Sequence, residues 1–338
     1  MNPFRHSAPD AVRRRLTLGL AAVVPAGLAG WSGLYASPAR AAFPDKPIRI
    51  IVPYSAGGGT DAIARHLAER LRPKLGQPVL VDNRPGADGV IGTDMVAKSP
   101  PDGSTLVLVV ASHLINPLVM AKMPFDTYKD LTGVTMVADA PLAFLVGADV
   151  PANNMAELTE LIRKTPKRYS YGSSESMTRL VGAMYIEGRK LDAVHIPYKG
   201  SAPLIADVAG GTTTLAVSSV VSAKQLIVGG KLKALGVTGT KRSPILPDVP
   251  TMSEQGYPEF AEVRTTFSLF APAGTPPAIL ERLQKEIFAV LQMRDMKDVL
   301  AAQAANPVGN SVADFNQQVK RESQFWTSLA KSIHLTPN

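Results

Sequence analysis

The chain has 338 residues, of which 45% are hydrophobic, 19% charged and 6% aromatic, and this composition excludes a disordered chain. The formal net charge is +8, but five arginines and Asp10 lie within residues 1–41, so that the rest carries only +4 and gives no indication of a nucleic-acid partner. The absence of cysteine excludes disulfides, cysteine-ligated zinc and thiol nucleophiles, while the length favours two domains over one.

Residues 1–41 have the organisation of a secretory signal peptide. Arg13–Arg15 precede an uncharged stretch over 16–34, and Ala39-Arg40-Ala41 has the small residues that signal peptidase prefers. The arginine run also resembles a twin-arginine export signal. The alternative is an uncleaved membrane anchor, but Pro25 and several glycines weaken the apolar stretch. We therefore predict cleavage after Ala41 and a soluble, exported protein.

Short apolar strands alternate with helices in the first part of the mature chain. We predict strands at 48–52, 79–81 and 105–110, with a helix at 61–71 and a short helix through Met95 between them. Strands that are almost wholly apolar are typical of a parallel sheet covered on both faces, so the pattern predicts the α/β class.

The middle of the chain repeats this alternation. The predicted strands are 142–146, 169–171, 194–196, 215–217 and 235–237, and the predicted helices are 155–163, 178–187 and 202–209. Residues 243–261 carry four prolines and no periodicity, which indicates a surface loop.

Two helices are predicted to end the chain. Thr275-Pro276-Pro277 is a good start signal for the first, because threonine caps helices and proline suits the first helical position. The second begins near Ser311, with Asp314 three residues later. Phe315 and Trp326 lie on its apolar stripe, and we interpret them as core residues.

Five turns at strand ends are candidate ligand-binding loops, because ligands of α/β sheets bind where helix N-termini offer free N–H groups. They are 53–61, 84–92, 111–117, 171–178 and 196–203. The first contains three consecutive glycines, but it lacks both the Gly-Lys-Ser/Thr ending of a P-loop and the spacing of a dinucleotide fingerprint. A tight strand–helix turn without a ligand explains it equally well.

No catalytic or metal-binding motif occurs in the sequence. His66, His113, His195 and His334 have no metal-ligand spacing, no Gly-x-Ser-x-Gly elbow occurs, and no nucleophile stands beside a base. We therefore predict structural or exposed histidines, no cofactor, no metal and no enzyme activity. Arg84 is interpreted as a surface arginine, with a ligand carboxylate as the alternative partner.

A series of motifs, in order from residue 43 to about 277, resembles the tripartite tricarboxylate transporter receptors, also called Bug-type solute-binding proteins. Each motif alone is weak, but together they are specific. They lie at 43–54, 57–61, 64–65, 83–87, 89, 91–92, 101–106, 116–117, 195–203, 210–211, 246–251 and 271–276.

The resemblance implies a periplasmic receptor with a two-lobed α/β fold of the Venus flytrap type, in which each lobe is a mainly parallel sheet flanked by helices. Lobe 1 is expected to hold residues 42–138 and 268–338, and lobe 2 residues 139–267. The implied partners are a small carboxylate ligand and integral membrane transporter subunits. We expect a monomer that does not bind nucleic acid.

In this family a loop from each lobe grips a ligand carboxylate. Carried onto this chain, the resemblance implies fourteen ligand-binding candidates, most of them small or hydroxyl-bearing. They are Tyr54, Ser55, Gly57, Gly58, Gly59, Thr60, Asp61, Ser112, Ser173, Ser174, Thr178, Tyr198, Ser201 and Ser218.

The chain departs from the family pattern in two places. Glu175-Ser176-Met177 shortens the second-lobe loop and adds a negative charge, and Arg179 stands where a histidine is usual. Val217-Ser218-Ser219 lacks the aspartate that can pair with a ligand amino group. We therefore expect a mono- or dicarboxylate without a required ammonium group.

The expected function is a periplasmic receptor that binds a small carboxylated acid between its lobes and presents it to a membrane transporter. One alternative is an orphan receptor that feeds a signalling system. The other is an exported α/β hydrolase or isomerase, which no motif supports.

Overall fold

A computed structural model of the chain describes residues 43–333. The predicted signal peptide and His334 lie outside the described residues. Within them, no helix is both long enough and apolar enough to cross a bilayer.

Eleven strands form two separate sheets in the described part of the chain. The strands are β1 (Ile48–Val52), β2 (Val79–Asn83), β3 (Thr105–Val110), β4 (Leu131–Ala140), β5 (Leu142–Gly147), β6 (Tyr169–Ser173), β7 (Ala193–Pro197), β8 (Leu215–Ser219), β9 (Leu232–Val237), β10 (Thr265–Pro272) and β11 (Asn306–Pro307).

Ten α-helices cover these sheets. They are α1 (Gly59–Leu75), α2 (Val90–Ala97), α3 (Ser112–Val119), α4 (Met155–Lys164), α5 (Ser176–Gly188), α6 (Ser201–Ala209), α7 (Val220–Val228), α8 (Pro277–Leu291), α9 (Arg294–Ala302) and α10 (Val312–Ser332).

The first sheet has the strand order β11-β4-β10-β3-β1-β2 and the second has the order β7-β6-β8-β5-β9. β1 is parallel to β2 and β3, and β6 is parallel to β7 and β8. The remaining pairings are antiparallel. The two-lobed α/β fold is therefore confirmed, with more antiparallel pairing than the sequence indicated.

The antiparallel strands include those that link the two sheets. β4 ends at Ala140 in the first sheet and β5 begins at Leu142 in the second, so that the chain crosses at Pro141. It returns to the first sheet through β10, which begins at Thr265. We propose that the lobe boundaries lie at these crossings, a few residues from the positions that the sequence suggested.

Helix α1 shows how local sequence positions a candidate loop. Ile63, Leu67 and Leu71 are buried on one face, as the periodicity predicts. The helix runs beyond the predicted end, past Pro73 to Leu75, because Leu75 is also buried. Gly76 then ends it in the left-handed conformation, and its N–H donates to a carbonyl of the last turn. The other end of the helix begins in the glycine turn after β1.

Helix α10 packs against the cores of both sheets. Phe315 lies in the apolar cluster of Val107 and Phe270 from the first sheet, whereas Trp326 packs in the cluster of Phe144 and Tyr185 on the second. Both α10 side chains are buried, as predicted. Ser311 caps the helix by accepting from the Asp314 N–H, again as the sequence indicated.

Six strands and helices are absent from the sequence-based assignment, namely α3, β4, α7, β10, α9 and β11. Helix α3 occupies the segment predicted as the third turn and contains Pro117, which reads locally as a helix breaker. Helix α7 opens with two β-branched valines, and the Ser219 cap and burial of Val220 decide its structure. Tertiary packing overrides local preference in both.

Candidate functional site

Four of the predicted turns meet at one cavity of about 420 Å³, which we call the cleft. Its walls come from elements of both sheets and include the starts of helices α1, α5, α6 and α7. The lining residues are Tyr54, Ser55, Gly58, Gly59, Thr60, Asp88, Val110, Ala140, Pro141, Leu142, Ser174, Glu175, Gly200, Ser201, Ser219, Val220, Val221, Ser222, Thr265, Phe267 and Gln303. This volume suits a small organic ligand.

The start of α1 presents free backbone donors to the cleft. Gly58 is its N-cap residue in extended conformation and provides no side chain, so that the first turn has no side-chain cap. Gly59 and Thr60 line the cleft, and no acceptor for their N–H groups is found among residues 43–333. Two open N–H groups at a positive helix end suit a carboxylate.

Asp61 holds the glycine turn from behind. Its Oδ2 accepts from the Gly57 N–H at 2.9 Å and from Arg65 Nε at 3.0 Å. Burial alone would raise the pKa of Asp61, but the hydrogen bonds from Arg65 and Gly57 outweigh it and lower the pKa below 3.8. The carboxylate is therefore ionised at neutral pH and fixes the turn that precedes α1.

The start of α5 differs, because its N–H groups already have acceptors within the protein. The Ser176 N–H donates to Asp88 Oδ2 at 3.0 Å, and the Met177 N–H donates to Ser112 Oγ at 3.4 Å. Glu175 and Thr178 form a capping box, in which the Thr178 N–H donates to the Glu175 carboxyl group. The turn before the helix is closed in the same way, since Thr178 Oγ1 accepts from the N–H groups of Ser174 and Glu175.

Two carboxyl groups, Asp88 and Glu175, line the cleft at this point. Asp88 lies in the turn after β2 with a φ of 50°, in the left-handed region, and its carboxylate bridges to α5. Glu175 Oε2 accepts from Ser112 Oγ at 3.3 Å. Burial, and then the nearby Asp88 charge, raise the pKa of Glu175 to about 7.

The starts of α6 and α7 add hydroxyl and backbone donors. Ser201 is the first residue of α6 and follows the N-cap residue Gly200, which has no side chain to cap the helix. Its Oγ lies 3.4 Å from Ser174 Oγ. Ser219 caps α7 by accepting from the Ser222 N–H at 3.2 Å. Val220 and Val221 begin that helix at the cleft wall. These groups face the cleft from the second sheet.

Seven of the fourteen predicted residues line the cleft. They are Tyr54, Ser55, Gly58, Gly59, Thr60, Ser174 and Ser201. Two of them also bind neighbouring parts of the protein. Tyr54 accepts from the Val110 N–H at 3.2 Å, and Ser174 belongs to the closed turn before α5.

The other seven are not among the residues that line the cleft. They are Gly57, Asp61, Ser112, Ser173, Thr178, Tyr198 and Ser218. Ser173 Oγ lies 2.8 Å from His195 Nε2, and the Tyr198 hydroxyl donates to Asp207 at 2.8 Å. Ser218 is buried, and its hydroxyl has no hydrogen-bond partner among the described residues. Direct ligand contact stays a prediction for all fourteen residues.

Several lining residues were not predicted from the sequence. Gln303 follows α9, and its Oε1 lies 2.9 Å from the position that a Cβ would occupy on Gly59. Ser219 and Ser222 were detectable as a capping pair before an apolar segment. Gln303 had no such signal, because only the tertiary fold brings it to the first glycine turn.

The histidines show structural environments. His113 is buried between Phe125 and Phe270, and burial lowers its pKa to about 4. His195 packs beside Tyr171, and burial followed by the Arg179 charge lowers its pKa to about 4. Residues 43–333 contain no cluster of histidine and acidic residues that could hold a metal ion.

Arg84 is a surface residue, as interpreted from the sequence. It pairs with Asp82 at 3.0 Å, and half of its side chain is exposed. Other hollows exist, including one of about 470 Å³ beside Arg264 and Trp326 and one of about 670 Å³ beside Pro117 and Asp130. The predicted ligand-binding residues converge on the cleft and not on these.

Comparison with known proteins identifies the same architecture. Residues 63–335 match the sequence profile of the tripartite tricarboxylate transporter family receptor. Protein BugT of Bordetella pertussis is 35% identical over 305 residues, which cover 89% of this chain and 93% of BugT. The solved structure of the periplasmic binding protein BugD matches with a TM-score of 0.77 at 34% identity, covering 88% of this chain and all of BugD. An R. palustris protein solved with adipate matches with a TM-score of 0.79 at 33% identity, covering 88% of this chain and all of that protein.

Proposed function

The chain belongs to the tripartite tricarboxylate transporter receptor family, and we propose that it binds a small carboxylated organic acid in the cleft. The observation that carries this proposal is the pair of open N–H groups, Gly59 and Thr60, at the start of α1. The adipate found in the related R. palustris protein supports a carboxylate as the ligand.

A carboxylate that enters the cleft loses its hydration and needs donors in exchange. The Gly59 and Thr60 N–H groups, together with the hydroxyls of Ser55 and Ser201, supply them without a lysine or arginine. Hydrogen bonds to an ionised group contribute about 1.5–3 kcal/mol each. Two backbone bonds of this kind supply about 3–6 kcal/mol, whereas micromolar affinity needs about 8 kcal/mol. The serine hydroxyls and the apolar contacts with Leu142 and Phe267 have to supply the remainder.

Binding between two lobes also explains how a receptor reports its ligand. The chain crosses between the sheets near Pro141 and before Thr265, and these crossings can act as hinges. A ligand that contacts both walls stabilises the closed form. We propose that integral membrane transporter subunits recognise this form, and that the chain reaches the periplasm after cleavage behind Ala41.

Isothermal titration calorimetry of refolded, ligand-free protein against a panel of mono-, di- and tricarboxylates tests the binding. Native mass spectrometry of freshly purified protein tests for a retained acid. We expect at least one acid to bind in the micromolar range or below. Absence of binding across the panel, with no acid retained on purification, contradicts the proposal.

Partner and location need separate measurements. Affinity capture from membranes, with and without ligand, should recover transporter subunits in the presence of the ligand. Recovery of a sensor kinase in their place favours the signalling role. The intact mass of protein released from the periplasm should begin at Ala42, and a mass that includes residues 1–41 contradicts cleavage.

A further inference from the structure

The charges at the cleft are all negative. Among the residues that line it, Asp88 and Glu175 are the charged ones, and lysine, arginine and histidine do not occur. No ion pair joins either carboxyl group to a cation within residues 43–333. Two acidic groups in a partly desolvated wall without a counter-ion repel a further anionic group of the ligand and attract a cationic one.

The hydrogen bonds at α5 strengthen this conclusion. The N–H groups of Ser176, Met177 and Thr178 are bound to Asp88, Ser112 and Glu175, so that α5 presents acceptors where α1 presents donors. A ligand carboxylate placed at α5 would have to displace Asp88 and lie against Glu175. A ligand group that donates hydrogen bonds meets no such obstacle.

The electrostatic environment of Glu175 favours a positively charged ligand group. Burial and Asp88 raise the pKa of Glu175 to about 7, so that ionising this group at neutral pH costs free energy. Serine hydroxyl and backbone donors already serve the two carboxyl groups, but none of these donors carries a charge. A positively charged ligand group beside them would offset the negative charges of the two carboxyl groups.

We propose that Glu175 and Asp88 select the second functional group of the ligand, and that this group is an ammonium. This inference rests on the proposed function, because the carboxylate of the same ligand is held at the start of α1. It departs from the expectation of a ligand without a required ammonium. That expectation came from the lack of an aspartate near Ser218, whereas the fold brings acidic groups to the cleft from two other turns.

The test compares ligands that differ only in their second group. Ligand-free protein is titrated calorimetrically at pH 8 with two sets of acids, of four and six carbons. Each set contains the alkanoate, the dicarboxylate, the ω-hydroxy acid, the ω-amino acid and the α-amino acid. We expect one amino acid to bind at least tenfold more tightly than the alkanoate of equal length. The α- and ω-amino members distinguish the two positions of the ammonium.

Three variants identify the residues that are responsible. Glu175→Gln and Asp88→Asn should each reduce the preference for the amino acid over the alkanoate of equal length at least fivefold. Asparagine tolerates the positive φ at position 88, and thermal unfolding verifies that both variants fold. Glu160→Gln, an exposed residue on α4 that pairs with Arg163, is the matched control and should change nothing.

The outcomes separate the two proposals. Preference for the dicarboxylate or alkanoate, or an amino-acid preference that survives in both acidic-residue variants, overturns the ammonium inference and retains carboxylate binding. A lack of binding by all acids in both sets, and by the wider carboxylate panel, overturns the proposed function and this inference with it.

Discussion

The starts of helices α1 and α5 are built on the same plan and differ in what they present to the cleft. Each follows a strand and a turn of small residues, and each N-cap residue is extended. At α1 the cap is a glycine and the N–H groups are open, while at α5 Asp88, Ser112 and Glu175 occupy them. A helix N-terminus is therefore a candidate anion site only where side chains leave it free.

The largest effect is expected from removing one open N–H group at the start of α1. Gly59→Pro replaces the first residue of α1, where proline fits the helix and the extended Gly58 accommodates it. Carboxylate affinity measured by calorimetry should fall about tenfold to a hundredfold, because one charge-assisted hydrogen bond is lost. Gly59→Ala, which keeps the N–H and adds a Cβ beside Gln303, separates steric from hydrogen-bonding effects.

The equivalent change at α5 is Ser176→Pro. It removes the N–H that donates to Asp88 and should destabilise the protein by about 1–2 kcal/mol in urea unfolding. Carboxylate affinity should stay within about fivefold of the unmodified protein. If Ser176→Pro abolishes binding as strongly as Gly59→Pro, both helix starts hold the carboxylate and the contrast between them is wrong.

The second effect concerns pH, because the pKa values of the acidic groups at the two helix starts are shifted in opposite directions. The raised pKa of Glu175 means that the folded state binds more protons than the unfolded state between pH 4.5 and about 7. Its contribution to stability is therefore lost as the pH rises through this window, by an amount on the order of 3 kcal/mol. Asp61 has a lowered pKa, so its contribution is lost as the pH falls below 3.8.

Urea unfolding as a function of pH measures both contributions. Stability also rises with pH in part of this window because the pKa values of His113 and His195 are lowered, so Glu175→Gln should make the profile between pH 4.5 and 7 rise more steeply without changing the acid limb. Asp61→Asn should make only the acid limb shallower, because other carboxyl groups with lowered pKa values, such as Asp82 and Asp102, also contribute to it. A profile between pH 4.5 and 7 that is the same with and without Glu175 contradicts the assigned environment of this residue.

A smaller effect is expected from Asp61→Ala. The change removes the acceptor that holds the Gly57 N–H, and should cost about 1 kcal/mol of stability and weaken carboxylate binding several-fold. Asp61→Asn keeps one oxygen acceptor, so its stability and carboxylate affinity should lie between those of Asp61→Ala and the unmodified protein. Unchanged calorimetric affinity in Asp61→Ala would show that the glycine turn is positioned without this side chain.

The smallest effect is expected from Gln303→Ala. Gln303 lines the cleft next to Gly59 but is one of many contacts, so affinity should change by about threefold or less. A much larger loss would identify Gln303 as a principal ligand contact. It would also indicate that side chains contribute more to ligand binding than the backbone N–H groups do.

Local sequence predicted what depends on neighbours along the chain. The strand Thr105–Val110 and the Ser311 cap follow from an apolar run and a capping pair, and the structure confirms both. Strand β10 was missed because Thr265–Pro272 has no alternation, and it is a strand because β3 and β4 pair with its two edges. The acidic pair of the cleft could not be predicted from the sequence for the same reason. Asp88 follows a strand of the first sheet and Glu175 follows a strand of the second, and only the tertiary fold brings them to one cleft.

The position of β10 in the first sheet constrains how the protein is made. This strand lies between β3 and β4, although both precede it by a long stretch of chain. Until residue 272 has emerged from the ribosome, β3 and β4 have unpaired edges at the centre of the unfinished sheet. We therefore expect any C-terminal truncation before β10 to leave these edges exposed and to yield an aggregation-prone fragment.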